Sequence, residues 1–550
     1  MIVEPNRAAV AGPPRNRVLR ADARLTLPLA LGGAWIAPLI GALTIGFVLI
    51  GAGNLELGPA DARLGLAAGE PFGPIGQVYG RYAPELWPAK VALSRLAGRF
   101  GELGDALPGI VLWPSALAAA AIGWILARRA VQELGTRCGV LVGLAWLGSL
   151  GVIDHSGGIG LDFLPGLAVV AAIDRLLSKG SDWAAGAWTA LAFLAGGWPP
   201  VVVVLLAVLV LGRREAGYSA RLLVPTVSAA AVWTAWALVA ATPEALAAAL
   251  ALPFTLRPDW FLAPKLLGLG LPFGPFALLA WSSSIRGGWS PRGRLLVKGW
   301  AQAAIACLVV GTVVPGISQA ARIPALAGMM LAAGTVLDSA WTGTLARGPR
   351  RAFLAMAFGL SLLWLMTLVY GEYLWLLVFS YYRPVGIAAA VLAIPLLALT
   401  WLGVEEGSSR RAAVAMLLLA ASLKLVHWGY YVPEWNYRHG QGPWGRAIGQ
   451  WVLPNWTVHT LHEWPSELAF ATGRPVRQLR TPMHLAYPEN GESRHVLLLE
   501  SEFENWPELA PRLLKVARFT DADGGVRILA RTPGTLVTPA GAILPRKAEE

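Results

Sequence analysis

The chain is short of charge for its size. Only 14% of its 550 residues are Asp, Glu, Lys or Arg, against about 25% in soluble domains. With 55% hydrophobic residues and a mean hydropathy of +0.55, most of its surface must face something other than water. Cysteine is scarcer still. Cys138 and Cys307 both fall in apolar stretches and read as small buried hydrophobes, which leaves no disulfide framework and no cysteine-based metal centre. No phosphate-binding glycine loop, no G-x-S-x-G elbow and no C-x-x-C occurs, which argues against an ATPase, a serine hydrolase of that type and a thiol redox enzyme. Internal repeats of the sort that mark many secondary transporters are also missing.

What the chain has is long apolar runs. At about 20 apolar residues per bilayer crossing, fewer where helices are short, about thirteen spans are expected. They lie near 27–51, 108–127, 138–153, 160–177, 183–197, 198–212, 220–241, 265–284, 296–315, 323–342, 353–380, 385–403 and 412–431. Pro199 and Pro200 in "GGWPP" remove consecutive backbone donors and force a break there. The formal charge is +12, but the arginines cluster at the ends of apolar runs, as topology requires and nucleic-acid binding does not. Alternate connections carry Arg128, Arg129 and Arg137; Arg175 and Lys179; Arg213, Arg214 and Arg221; Arg286, Arg292, Arg294 and Lys298; Arg347, Arg350 and Arg351; Arg410 and Arg411. Arg15, Arg17, Arg20 and Arg24 precede the first span. The N-terminus is therefore expected in the cytoplasm and, with an odd number of spans, the C-terminus outside.

The expected organisation is a cytoplasmic tail over 1–26, a membrane domain over 27–431 and a small α/β domain over 432–550 on the periplasmic side. The first run, too long for a signal-peptide core, reads as an uncleaved anchor. A long first outer loop, 52–107, holds two amphipathic candidates at 60–70 and 85–101 that suit the membrane interface. In the tail, "SRHVLLLES" reads as a strand and "KVARFTDADGGVRILART" as two strands joined by an Asp/Gly turn.

Ionisable residues near the outer ends of the spans are the chemical candidates, because charge in or beside a membrane is costly to keep. Asp61 and Arg63 follow the first span; Asp154, His155 and Asp162 flank the start of another. Asp162 has a bland role as well, since a carboxylate in a helix's first turn complements the helix dipole, and His155 also suits an ordinary loop. Lys90, Arg257, Lys265, Arg322 and Arg383 fall on the same side. Each alone can be a snorkelling side chain. Together they supply what a lipid phosphate needs, cations and donors at headgroup depth. "HTLHE", with His459, His462 and Glu463, puts two imidazoles on one helix face but lacks H-E-x-x-H spacing and an evident third ligand.

The order of these features resembles the GT-C superfamily of polyprenyl-phosphate-dependent glycosyltransferases, in particular its aminoarabinose-transferase and protein mannosyltransferase branch. "PADARLGLAAGE" is similar to that branch's P-D-E-x-R-Y-x-x-x-A-x-E segment, with Ala60 beside Asp61. "GLDFLPGLAVVAAI" is similar to its L-D-x-x-L helix start and "AARIPALAGMMLAAG" to its K-x-P-x-Y-x-L-P start. "AGGWPPVVVVLL" stands where that branch has K-G-P, with Gly197 or Trp198 in place of the lysine. "PELWPAK", with Glu85 and Lys90, takes the place of an E-K-P segment, and "ELAFATGRPVRQL" looks like the strand region after the last helix.

The resemblance implies an α-helical polytopic membrane protein with a GT-C-like fold in a bacterial inner membrane. It implies an inverting transferase that moves a sugar from a polyprenyl-phosphate donor to a glycan, lipid or protein acceptor. Asp61 and Asp162 would be catalytic, with Arg63, Lys90 and Arg322 on the donor phosphate. Glu85, His155, Arg257 and Lys265 are further substrate-binding candidates. No nucleic acid is expected, no cofactor is required, and a divalent metal is left open without an assigned ligand set. A transporter or flippase of a lipid-linked glycan would use the same cationic cavity without chemistry, and an inactive scaffold of an envelope assembly is a third class.

Overall fold

In a computed structural model of the chain, the described residues are 35–49, 77–78, 81–82, 89, 92, 113–155, 163–178, 181–211, 216–240, 258–314, 316–440, 442–453, 456–462, 466–474, 476–485, 494–520 and 525–533. Helix α1 (Ile36–Leu49) is followed by a small antiparallel hairpin, β1 (Gln77–Val78) and β2 (Arg81–Tyr82). The bundle continues with α2 (Trp113–Leu134), α3 (Thr136–Leu147), the short α4 (Leu150–His155), α5 (Phe163–Leu177), α6 (Asp182–Gly196), α7 (Trp198–Val210) and α8 (Ala216–Ala240). Next come α9 (Leu262–Leu269), a 3₁₀ segment (Gly274–Trp281), α10 (Ser283–Gly287), α11 (Pro291–Val313), α12 (Ser318–Trp341), α13 (Arg347–Tyr373), α14 (Arg383–Glu405) and α15 (Ser409–Val426). A π-turn (His427–Tyr431) joins α15 to α16 (Val432–His439) in one continuous apolar path that ends beyond residue 431.

Among the described residues, five helical stretches are long and apolar enough to cross a membrane: Pro291–Val313, Ser318–Trp341, Arg347–Val378, Ser380–Glu405 and Ser409–Arg438. The apolar run at 265–284, expected as one straight span, is instead α9 and the 3₁₀ segment bent by 103°. The sequence between them explains it: Gly270 and Pro272 weaken the helix, and Pro272 has no N–H to continue the ladder. At "GGWPP" the break lies where two prolines demand it. Gly197 takes φ 73° between α6 and α7, and Pro199 and Pro200 enter the first turn of α7, where their missing N–H groups cost nothing.

The bundle is built around α12, whose apolar stretch is 83% buried, against 28% and 22% for α13 and α14. Its sequence, "SQAARIPALAGMMLAAGTVLDSAW", carries small residues on every face, so neighbouring backbones approach closely. A Cβ on Gly334 would lie 2.6 Å from Val142 Cα on α3, and one on Gly328 would lie 2.8 Å from Trp300 O on α11. Between α2 and α3, the space over Gly123 is filled by the Trp146 indole, whose Nε1 donates to Ala119 O at 3.0 Å. Ion pairs tie one end of this core: Arg129 grips Asp174 with Nε and Nη2 at 2.5 and 3.0 Å, and Arg137 Nε meets Asp338 at 2.5 Å.

After α16, helix α17 (Gly442–Trp451) leads into β3 (Val458–Thr460), α18 (Ser466–Thr472), β4 (Val476–Gln478), β5 (His495–Leu499), α19 (Glu500–Glu504), β6 (Leu514–Thr520) and β7 (Val526–Arg531). The sheet order is β4-β3-β5-β7-β6, parallel across β4, β3 and β5 and antiparallel across β5, β7 and β6. Strands β5, β6 and β7 are the three that "SRHVLLLES" and "KVARFTDADGGVRILART" foretell. "ELAFATGRPVRQL", read as strand, is a helix followed by a strand. Leu468 and Ala469 are buried in the domain core, and Gly473 at φ 58° ends α18.

The close approach at α12 yields a direct test. Gly334→Ala should lower the unfolding temperature in detergent, because its methyl meets backbone and not a movable side-chain tip, an overpacking cost of about 1–3 kcal/mol. Gly359→Ala on α13, which has open space at its Cβ, should leave that temperature unchanged or raise it. Equal behaviour of the two variants would contradict the packing account.

Candidate functional site

Counting helices from the Arg129–Asp174 and Arg137–Asp338 pairs, α3 runs away from an arginine-rich end and delivers α4 to the opposite end. There α4 packs between α9 and α15, held by a hydrogen bond from Leu150 N to Leu271 O at 2.8 Å. Helix α9 is seated by Leu262 and Leu266, both buried. Leu262 packs over Gly311 of α11, where an added Cβ would lie 2.7 Å from Leu262 Cδ2. That anchoring leaves Lys265 on the open face of α9, half exposed.

One expected phosphate ligand, Arg322, and one further substrate-binding candidate, Lys265, meet here. Asp259, just before α9, accepts from Lys265 Nζ with both carboxylate oxygens at 3.0 Å. Its Oδ2 also faces Arg322 Nη2, from the first turns of α12, at 3.9 Å. Two cations thus share one carboxylate, and the cluster keeps a net positive charge. Asp259 and Arg322 are largely shielded, at 14% and 21% side-chain exposure, so this charge acts in a lower dielectric than water. Arg322 Nε is buried without a hydrogen-bond partner. An unfilled donor on a shielded guanidinium favours an anionic oxygen, and such charged hydrogen bonds contribute about 1.5–3 kcal/mol.

Beside this cluster, on the far side of α4, Asp154 Oδ1 lies 3.6 Å from His427 Nε2. The His427 ring stacks on Tyr431, and Tyr431 on Trp435. Arg383 begins α14. Asp61, Arg63, Glu85, Lys90, Asp162 and Arg257 lie outside the described residues, as does the side chain of His155, the last residue of α4. In the tail, the two histidines of "HTLHE" take separate partners. His459 Nδ1 is 3.3 Å from His495 O, and burial holds its pKa below the ordinary value. His462 Nε2 pairs with Glu502 at 2.7 Å. Among the described residues no three His, Cys, Asp or Glu side chains stand together as a metal centre would require.

Asp259 escaped sequence reasoning, although "RPDW" places it among the loop cations Arg257 and Lys265, where an acid is a natural counter-charge. A cavity of about 420 Å³ at the arginine-rich end, lined by Arg129, Glu133, Ser178 and Arg292, is the weaker candidate. Its cations are balanced by Asp174 and Glu133, so it has little charge left for an anion.

No family model and no curated protein matches the sequence. Similarity is found among solved structures. ArnT from Cupriavidus metallidurans bound to undecaprenyl phosphate superposes at a TM-score of 0.68, with 17% identity, over 94% of this chain and 100% of that one. The chain shares the fold of that structure. The same enzyme in its apo state superposes at 0.67, with 17% identity, over 91% of this chain and 98% of the other. Arabinosyltransferase EmbB from Mycobacterium smegmatis scores 0.43, at 14% identity over 87% of this chain and 45% of its own, too low to carry an argument.

The carboxylate shared by Lys265 and Arg322 gives this cluster a testable electrostatic property. Asp259→Asn removes a competitor for the two cations, so affinity for inorganic phosphate by calorimetric titration should rise roughly 3- to 10-fold, or about 0.7–1.4 kcal/mol. Adding Arg322→Ala should cancel the gain. Unchanged or weaker binding by Asp259→Asn would show that the carboxylate does not compete for the anion.

Proposed function

We propose that the chain is a membrane glycosyltransferase that takes a sugar from a polyprenyl-phosphate carrier at the periplasmic face of a bacterial inner membrane. The observation that carries this reading is the Asp259–Lys265–Arg322 cluster at the end of a GT-C bundle opposite its arginine-rich end. The arginine-rich end belongs in the cytoplasm by the positive-inside rule, which puts the cluster at the outer headgroup level. The similar ArnT structure is bound to undecaprenyl phosphate, a ligand whose phosphate such a cluster suits.

In this reading the donor phosphate displaces Asp259 from Arg322 and Lys265. An acceptor hydroxyl on a glycan, lipid or protein attacks the anomeric carbon from the face opposite the phosphate, and the carbon–oxygen bond to the phosphate breaks with inversion. The leaving phosphate gains charge as the bond breaks, so cations fixed before reaction stabilise the transition state more than the ground state. Arg63 and Lys90 are the further cations of this role. The hydroxyl proton passes to Asp61, which acts as general base. Asp162, next to Phe163 at the start of α5, orients the sugar. Glu85, His155 and Arg257 complete the substrate contacts.

The test is sugar transfer by purified protein from a synthetic polyprenyl-phosphate sugar to an envelope extract. Wild-type protein should transfer. Asp61→Asn, which keeps size but removes the base, should lose about 10²–10⁴-fold in rate, and Arg322→Ala should fall in rate even at saturating donor. Donor movement between liposome leaflets without any transfer would replace the enzyme by a flippase.

A further inference from the structure

On the α15 side of α4 lies a second feature that the donor cluster leaves unexplained. Lys424, in the last turn of α15, is only 6% exposed, and Trp428, one turn later, 5%. The ammonium does not reach for water as a snorkelling lysine would. Its Nζ turns inward, 4.6 Å from the ring centre of Phe47 on α1 and 4.3 Å from that of Trp428. Two aromatic faces offset part of the burial of a cation, yet they accept no conventional hydrogen bond. Among the described residues, neither Lys424 Nζ nor Trp428 Nε1 has a hydrogen-bond partner. The nearby carboxylate of Asp154 faces His427. Two buried donors, four residues apart and therefore on one helix face, lack any acceptor. A buried cation and N–H left in this state destabilise the fold, so a bound acceptor oxygen is the economical explanation.

We infer that Lys424 and Trp428 form an oxyanion niche that selects a sugar acceptor carrying a phosphate or carboxylate group. The inference rests on the transferase reading for the word acceptor. In the transferase reading the donor brings its own phosphate to Lys265 and Arg322, on the α9 side of α4, whereas Lys424 and Trp428 belong to the segment on its α15 side. Helix α4 packs against both, so two oxyanions would lie to either side of one short helix. Lys424 is then a specificity-determining residue, and Trp428 positions the same oxygen through its N–H.

The experiment is ligand-dependent thermal unfolding of the full-length protein in detergent. Probes are glucose 1-phosphate and glucuronate, as soluble sugar oxyanions, and undecaprenyl phosphate, as the lipid source of the same chemistry. Wild-type protein should be stabilised by at least one soluble oxyanion. Lys424→Met fills the niche without a charge, so without ligand it should unfold at the same or a higher temperature, while its apparent Kd for that oxyanion rises roughly 10-fold or more. Trp428→Phe, which keeps a ring and removes the donor, should weaken the response in the same direction. Because soluble phosphate can also bind at Arg322, the soluble probes are compared in the Arg322→Ala background. Lys424→Met should keep its response to undecaprenyl phosphate, and Arg322→Ala should keep a response to a soluble oxyanion that the double variant Arg322→Ala/Lys424→Met loses. The proposal is overturned if wild-type protein responds to neither soluble oxyanion, if Lys424→Met unfolds earlier without ligand, or if Arg322→Ala and the double variant respond alike. It is equally overturned if Lys424→Met loses the undecaprenyl phosphate response. Absence of sugar transfer alongside a Lys424-dependent oxyanion response would remove the transferase reading and leave the niche standing.

Discussion

Everything at the candidate site depends on α12 being narrow enough to be packed from every side. Gly328 and Gly334 let α11 and α3 approach to backbone contact, and the alanines between them keep the other faces equally slim. In lipid, where helix association gains little from burying apolar surface, close van der Waals packing takes over that role. A rigid central helix has a consequence for chemistry. Arg322 projects from its first turns, so the guanidinium is fixed by the best-packed element of the bundle, while its counter-charge, Asp259, stands on the approach to the short helix α9. A fixed cation and a separately held carboxylate are what a site needs if an incoming anion is to exchange with the carboxylate.

The two ends of the bundle treat charge differently. At the arginine-rich end, Arg129 and Arg137 are matched by Asp174 and Asp338 at 2.5 Å, and these pairs fasten α2 to α5 and α3 to α12. The Arg129–Asp174 pair is largely shielded, so removal of one partner is strongly destabilising there; the Arg137–Asp338 pair is more exposed and contributes less. At the other end, Lys265 and Arg322 share one carboxylate, and Lys424 has none. Charge of this kind is costly near a bilayer, so two shielded cations sharing one carboxylate, and a buried lysine with no hydrogen-bond partner among the described residues, suit a ligand that brings negative charge.

Sequence patterning exposed the parts of the fold that repeat a simple rule. Apolar run lengths announced the membrane helices, the two prolines at 199–200 announced a break, and short apolar segments with an Asp/Gly turn between the last two announced β5, β6 and β7. It failed where backbone geometry and tertiary contact decide. The bend at Gly270–Pro272 turned one expected span into two segments at 103°. The segment Ser466–Thr472 looked like strand through the family resemblance, and at seven residues it is too short for helical periodicity to announce it. At the site, Arg322 and Lys265 were legible as cations beside apolar runs. Their meeting at Asp259 was not, because 63 residues separate Asp259 from Arg322 and no local pattern links them. Lys424 and Trp428 were hidden for a related reason: inside an apolar run a single lysine reads as a tolerated charge until its burial and missing partner are seen.

We propose above all that the cluster at the ends of α9 and α12 opposite the arginine-rich end receives a carrier-lipid phosphate. The most direct measurement is a cryo-EM structure of the full-length protein in nanodiscs with undecaprenyl phosphate. The account predicts phosphate density within hydrogen-bond distance of Arg322 and Lys265, with the Asp259 carboxylate drawn away from Arg322. Phosphate seated in the cavity between Arg129 and Arg292, or bound elsewhere with the Asp259–Lys265–Arg322 cluster unchanged, would contradict it.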